Sequence, residues 1–488
     1  MQPSDLLPSL LAIPAAAALV CLLLPSARAV FAAVWCAVAA TAAIAIVVAA
    51  AAASAGRIHA GNLLFADALS AFHLLVLSAV FAMSSLYAPL YFRDDVRKGT
   101  LDRKGARRFG ALWLASFASM NLVLVSNNLG LLWVGIEATT LLTTFLICVH
   151  RTPASLEAMW KYLLLCSVGV AFAFMGTLLV AASAHRAAEP LVWTSLLASA
   201  RSLDPGTLKA GFIFLLVGYG TKAGLAPMHN WLPDAHSQAP APVSALFSGF
   251  MLNAALYCIL RYVPLVERAT GGSGWSLGLL QLFGLVSILV AAAFILFQHD
   301  LKRLLAYHSV EHLGIIALGM GLGGVGIFAA LFHTLNHSLC KTLGFLCAGR
   351  LGQIYGTHDM ARIAGTLRTS PVWGAGLFGS LLALIGVAPF ALFMSEFLIA
   401  TAAVDGRAYW ALGIFLLGTG IVFVGALRHA LAMAWGEPKA GPTADESRVL
   451  PALLVMTPLA LLLVLGVWMP DPLREILSRA AAIIGGAP

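Results

Sequence analysis

Glu137, Lys222, Glu311, Lys341 and Glu396, together with His308, His312, His333 and His337, all lie inside long apolar runs of this 488-residue sequence. Placing a charge at mid-bilayer costs about 2.5–3.5 kcal/mol even on the mildest scale, so each such residue implies a partner, a water-filled cavity or a task. One could be structural. So many, spread over at least five apolar runs, suggest a polar path along which protons move.

Glu137, in Leu-Trp-Val-Gly-Ile-Glu-Ala, and Lys222, in Gly-Thr-Lys-Ala-Gly-Leu-Ala-Pro, read as a coupled pair. A carboxylate that moves toward or away from a buried lysine switches it between holding and releasing a proton, which is the physics of a gated relay. The alternative is a static ion pair cementing two helices, although buried pairs tend not to repay their desolvation in stability. His333, His337 and Lys341 recur every four residues and so share one helix face. Imidazole titrates near neutral pH, which makes the stripe a proton wire or, taken singly, a set of hydrogen-bonded core residues. Glu157 and Lys161, also four apart, read as a local pair on a helix surface.

A rival of another class starts from His308-Ser-Val-Glu311-His312, which fits the H-x-x-E-H spacing of a zinc protease, with His333 or His337 as a third ligand. Against an intramembrane protease stand the surplus of imidazoles, the lack of an obvious further carboxylate ligand, and Glu137 and Lys222, which it leaves unexplained. No metal is expected here.

These residues need helices to hold them. The chain is 60% hydrophobic and 10% charged, where a soluble chain is about 25% charged. Disorder, collagen, coiled coil and outer-membrane barrel fail on composition or on the length of the apolar runs. The reading is an all-α polytopic membrane protein with about fourteen spans of roughly 20 residues. The first run, Leu6 to Pro25, lacks a basic leader and reads as a first span, not a cleaved signal.

The net charge of +8 marks loops and not nucleic acid, which is not an expected partner. Between Arg93 and Arg108 the loop after the third span holds seven basic residues and should be cytoplasmic. Alternate counting puts Arg28, Arg151, Lys302, Arg303, Arg350, Arg362, Arg368, Lys439 and Arg448 on the same side. The opposite loops hold Arg57, Arg186, Arg201, Arg268 and Arg407. Both termini then face the periplasm. The seven cysteines all lie in apolar segments and none forms a CxxC pair, so this polypeptide is expected to carry no redox centre.

Two spans are interrupted, at Gly224-Leu-Ala-Pro227 and Gly386-Val-Ala-Pro389. Proline removes a backbone hydrogen bond where no water replaces it. The two breaks are five spans apart, so their spans run in opposite directions, as an inverted repeat of five helices would produce. Lys222 precedes the first break and Glu396 follows the second. The expected organisation is a three-helix segment over 1–107, five-helix repeats over 108–263 and 276–435, and a loop with a last span over 436–488.

The run Lys222-Ala-Gly-Leu-Ala-Pro-Met-His-Asn-Trp-Leu-Pro-Asp-Ala-His236, followed by Ala-Pro-Ala-Pro-Val-Ser-Ala, resembles the signature of the antiporter-like membrane subunits of respiratory complex I, cation/proton antiporters and membrane-bound hydrogenases. The resemblance extends from about residue 60 to 435. It implies fourteen spans with two inverted five-helix repeats, and proton translocation driven by redox chemistry in partner subunits. Asp300 through Gly314, with its Val-Glu-His step, and Leu-Asn-His337-Ser-Leu-Cys-Lys341 are most similar to the hydrogenase-4 component F type.

On that resemblance Glu137 and Lys222 match the family's gating pair, Lys341 the lysine of the eleventh span, and Glu396 the terminal ionisable group of the broken twelfth. Many relatives have a lysine in the eighth span where Phe250-Met-Leu-Asn253 places Asn, which cannot carry a proton as a cation. His308, Glu311 and His312 are the expected substitutes; otherwise the chain is a structural homologue that does not pump. The implied partners are other membrane subunits, a peripheral hydrogenase or dehydrogenase arm holding Ni-Fe and iron–sulfur centres, and the lipid of a bacterial inner membrane. A complex I or cation/proton antiporter subunit is the first alternative. The long lateral helix of the largest complex I relative is not expected.

Overall fold

In hydrocarbon every backbone N–H and C=O must be satisfied within its own segment, so long apolar runs are driven into helices. The computed structural model describes residues 3–184, 189–437 and 449–486. Arg186, Lys439 and Arg448 of the topology count lie outside them.

The helices in chain order begin with α1 (Ser9–Cys21), α2 (Ala27–Ala55), α3 (Ala68–Tyr91), α4 (Arg103–Val125), α5 (Leu129–Ile147) and α6 (Pro153–Ser183). Next come α7 (Pro205–Ala223), α8 (Trp231–Gln238), α9 (Ala241–Ala269), α10 (Trp275–Ile295), α11 (Leu301–Leu322) and α12 (Val325–Tyr355). The last are α13 (Pro371–Leu384), α14 (Ala391–Asp405), α15 (Tyr409–Trp435), α16 (Val449–Val467) and α17 (Asp471–Ile484). Among the described residues ten helices are long and apolar enough to cross a membrane: α1 to α6, α9, α10, α15 and α16. The remaining expected spans correspond to α7 with α8, α11, α12, and α13 with α14. These are the broken or ionisable-rich helices, and their polarity or shortness takes them below that measure.

Two elements go beyond the all-helical expectation. Residues Arg57–Ala60 (β1) and Leu64–Asp67 (β2) form an antiparallel hairpin in which Arg57 faces Asp67. The helix α17 is a 14-residue segment that buries Ile476, Leu477, Ala480 and Ile484 on one side.

Helix ends are set by local chemistry. Asn128, Asp204 and Asp300 accept backbone N–H bonds at the starts of α5, α7 and α11, and Thr152 with Ser155 closes a capping box on α6. Gly224 ends α7 at φ +77°, a left-handed conformation that glycine alone adopts without strain. Gly386 occupies the same region at φ +69° in the second break, and the Ala226–Pro227 and Ala388–Pro389 bonds are both cis.

The chain packs into two units. The first comprises the chain up to Gly224, residues 250–279 and the chain from Arg474 onward; the second comprises residues 225–249 and 280–473.

Candidate functional site

In the first unit, α5, α6 and α7 bring Glu137 and Lys222 into one polar patch. Small residues permit this. A Cβ on Gly218 of α7 would lie 2.5 Å from the Gly169 carbonyl oxygen of α6, and one on Gly169 would lie 2.7 Å from Thr221 Cβ. Glycine at such positions lets two helix backbones approach closely. Lys222 is fully buried in the last turn of α7, where the helix C-terminus favours a cation.

Neither member of the expected pair is the other's hydrogen-bond partner. Lys222 Nζ donates to the Tyr162 hydroxyl. Glu137 Oε1 accepts from Ser167 Oγ at 2.9 Å. The Tyr162 hydroxyl also meets Thr143 Oγ1 at 2.7 Å, with Met251 Sδ at 3.6 Å. Lys222 is thus tied to α5 through hydroxyl groups, and Glu137 is half-buried beside it. Asn253 is 1% exposed and follows a π-helical turn over Phe247–Met251 of α9. Such turns shift the register of a helix and occur frequently at functional sites.

In the second unit, α11, α12 and α14 build a longer row. His308 Nδ1 lies 2.9 Å from Glu311 Oε2. One turn on, His312 Nδ1 lies 2.9 Å from His333 Nε2, and His333 Nδ1 lies 2.9 Å from Ser395 Oγ. Lys341 Nζ donates to the Leu305 carbonyl. His337 packs its ring 5.4 Å from that of His312, and neither of its nitrogens has a hydrogen-bond partner among the described residues. The hydrogen bonds of the α12 stripe run sideways, from α11 to α12 to α14.

All these side chains are fully buried or nearly so, whereas Glu396 is half-buried. It lines a cavity of about 350 Å³ with Gly386, Phe393, Phe397, Leu416 and Thr419. The Gly386 backbone comes so close that a Cβ there would lie 2.5 Å from Glu396 Oε2. Pro227 and Pro389 sit in the breaks themselves, each after a cis peptide bond.

Two triads have ligand atoms within 4.8 Å of one another: His308 with Glu311 and His312, and His312 with His333 and Glu396. Imidazole and carboxylate suit a zinc-like ion. The same nitrogens already pair with one another, with Glu311 and with Ser395, a pattern suited to passing a proton.

Several participants were not singled out from sequence. Tyr162 and Thr143 supply the hydroxyls that lead to Lys222, and Ser167 the one that holds Glu137; the spacing of four between Tyr162 and Cys166 inside an apolar run was the available signal. Lys302 is 3% exposed, not a free loop charge, and donates to the Ser237 and Ala239 carbonyls at the end of α8. Arg261 and Asp67 form a bidentate ion pair at 2.6 and 2.7 Å, each 1% exposed. Phe65, Trp193 and Tyr257 surround the guanidinium at 4.8–4.9 Å. Glu157 and Lys161 do form the local pair expected, at 2.7 Å on an exposed surface.

The pattern of the NADH:quinone oxidoreductase/Mrp antiporter transmembrane family matches residues 126–422, which include every helix named in these two patches. The chain belongs to that family. A hydrogenase-4 component F homolog of Methylacidiphilum infernorum is 37% identical over 430 residues, covering 87% of this chain and 89% of that one. Hydrogenase-4 component B of Escherichia coli is 34% identical over 342 residues, covering 68% of this chain and 49% of that longer protein. Among solved structures, a chain of the archaeal membrane-bound sulfane sulfur reductase superimposes with a TM-score of 0.88 at 24% identity, covering 99% of this chain and 98% of that one. The family match covers residues 126–422, and the superposition shows that the fold is shared over 99% of the chain.

Proposed function

We propose that this antiporter-like chain is the proton-translocating membrane subunit of a membrane-bound [NiFe]-hydrogenase or formate-hydrogenlyase-like complex. The observation that carries the reading is the row His308–Glu311, His312–His333–Ser395, with Lys341 at one side and Glu396 at the other. Buried groups that can each take and give a proton have no structural need to touch in sequence across three helices. The relative at 37% identity, a hydrogenase-4 component F homolog, supports the choice of complex.

In this reading Lys222 holds a proton against Tyr162, and Glu137, turning from Ser167 toward the lysine, controls when that proton is kept. The Lys341, histidine and Glu311 row receives and relays protons in the second unit. Glu396, which reaches a cavity, is the terminal exchange point. Asn253 contributes a hydrogen-bonding side chain without a charge. Electrons stay in partners: Ni-Fe and iron–sulfur centres belong to a peripheral arm, and this chain needs none. The membrane is a bacterial inner membrane, with the Arg93–Arg108 loop cytoplasmic and both termini periplasmic.

The test is reconstitution of the complex in liposomes with a pH-sensitive dye inside. Lys222→Ala should reduce redox-driven proton movement at least about tenfold, the loss of one relay step of about 1.4 kcal/mol or more, while the helix content stays unchanged. Unaltered transport would sink the mechanism. The family's own range supports a second reading, a complex I or cation/proton antiporter subunit. Co-purification of quinone oxidoreductase subunits in place of hydrogenase subunits would favour it, and radioactive sodium uptake separates H⁺ from Na⁺.

A further inference from the structure

The cavity of about 780 Å³ at the basic end of the first unit is lined by none of the residues of the Glu137–Lys222 patch. Lys104, Arg108, His150 and Arg151 line it, at the N-terminal ends of α4 and α6. His150 is engaged by Asp95 at 3.2 Å, and Asp102, the one carboxylate in the lining, is spent on capping α4 through the Gly105 N–H at 2.7 Å. Lys104, Arg108 and Arg151 have no hydrogen-bonded or ion-paired partner among the described residues. Their neighbour Arg107 does: it donates to the Leu24 and Leu23 carbonyls at 2.6 and 3.0 Å, which ties the end of α1 to α4.

A second, apolar groove of about 320 Å³ continues from this cavity, and Arg108 and Leu112 line both. Ala18, Ala111, Ala115, Leu19, Leu22 and Leu142 complete its lining. Leu19 is 69% exposed. From Arg108 to Ala115 the groove follows α4 for about 10 Å at 1.5 Å per residue, against about 15 Å for the hydrocarbon of one leaflet. Three cations without hydrogen-bonded or ion-paired partners among the described residues, beside a groove of small and branched apolar side chains, match one molecule with an anionic head and a hydrocarbon tail.

We propose that this composite cavity binds a single anionic phospholipid, with its phosphate among Lys104, Arg108 and Arg151 and one acyl chain in the α1–α4 groove. Binding here orders the ends of α1, α4 and α6, the last of which carries Tyr162 and Ser167.

The full-length protein, purified in mild detergent and stripped of lipid, is titrated with phosphatidylglycerol, phosphatidylcholine or inorganic phosphate and read by native mass spectrometry. One phosphatidylglycerol should be retained in preference to phosphatidylcholine. Each neutralised cation should weaken it about fivefold, equivalent to the ~1 kcal/mol of one charge beside an anionic surface, so Lys104→Gln/Arg108→Gln/Arg151→Gln should lose on the order of a hundredfold. If that triple variant fails to fold, Arg151→Gln, in an exposed loop, should still show the fivefold loss. Ala115→Leu, which fills the groove, should weaken the lipid and leave phosphate unaffected. Equal retention of the two lipids, no loss in the charge variants, or phosphate binding with no effect of Ala115→Leu would each overturn the proposal. So would absence of lipid from the intact complex.

Discussion

Arg261 and Asp67 show what a buried charge costs when it is not part of a relay. The guanidinium is satisfied by two carboxylate oxygens, the Ser70 and Tyr257 hydroxyls and three aromatic rings, so every donor has somewhere to point. Burial alone would push the Asp67 carboxyl up, but Arg261 and the Ser70 backbone N–H more than offset this, and it titrates below the ordinary carboxylate range. A lowered carboxyl contributes stability that is constant at neutral pH and lost only as pH falls through that lowered value. Removing one partner leaves the other buried and unpaired, at a cost of about 3–5 kcal/mol. Asp67→Asn and Arg261→Met should each lower the thermal midpoint sharply, and the double variant should recover part of the loss. Additive losses would show that the two do not act as a pair. Neither residue was readable as a partner of the other, because 194 positions separate them and only tertiary packing brings them together.

The broken helices locate their ionisable groups through glycine. At Gly386 the left-handed φ and the carboxylate 2.5 Å from a would-be Cβ make two separate demands. Gly386→Ala should cost roughly 1 kcal/mol for the backbone and displace Glu396, whose flexible end can give way. Proton transport should therefore fall further than the midpoint of unfolding does. Transport falling only in proportion to stability would mean Glu396 has no fixed position to lose. The two Gly-x-Ala-Pro segments were legible because both signals are local: a residue type that ends helices and one that cannot continue them. The hairpin at 57–67 and the amphipathic α17 were not, since the first is two four-residue strands and the second lacks an apolar run. The hydroxyls of this patch were hidden for another reason: Tyr162 and Ser167 are unremarkable in an apolar helix until α7 brings Lys222 to the one and α5 brings Glu137 to the other.

Across the whole chain, membership of the antiporter-like family and the helical membrane fold were already written in the length of the apolar runs and in the Lys222–His236 signature. Both depend on composition and on contiguous sequence. What the sequence did not order is the row of titratable groups. A spacing of four put His333, His337 and Lys341 on one face, but the direction of the hydrogen bonds follows from which neighbouring helix presents a partner, and α11 and α14 present them to His333. Lys302 and Arg261 were legible as charges yet misplaced in role, one counted as loop and the other passed over. Charge counting assigns sides of a membrane and says nothing of which carbonyl or carboxylate a long side chain will find.

The half-buried position of Glu396 has a chemical consequence. Phe393, Phe397 and Leu416 make the mouth of its cavity greasy, and those three are 38%, 56% and 56% exposed. A lipid-soluble carbodiimide partitions into such a mouth, where the oxygen of a carboxylic acid adds to its central carbon, the acid proton passes to nitrogen, and the O-acylisourea rearranges to a stable N-acylurea. Glu311, at 2% exposure behind the histidines, offers it no approach. Peptide mapping after brief treatment should find the adduct on Glu396 and not on Glu311, and prior adduct formation should stop transport. A reagent that marks both equally would mean that the inner row opens to the bilayer as well. The end of the row is thus where a small hydrophobic electrophile could serve as a stopper.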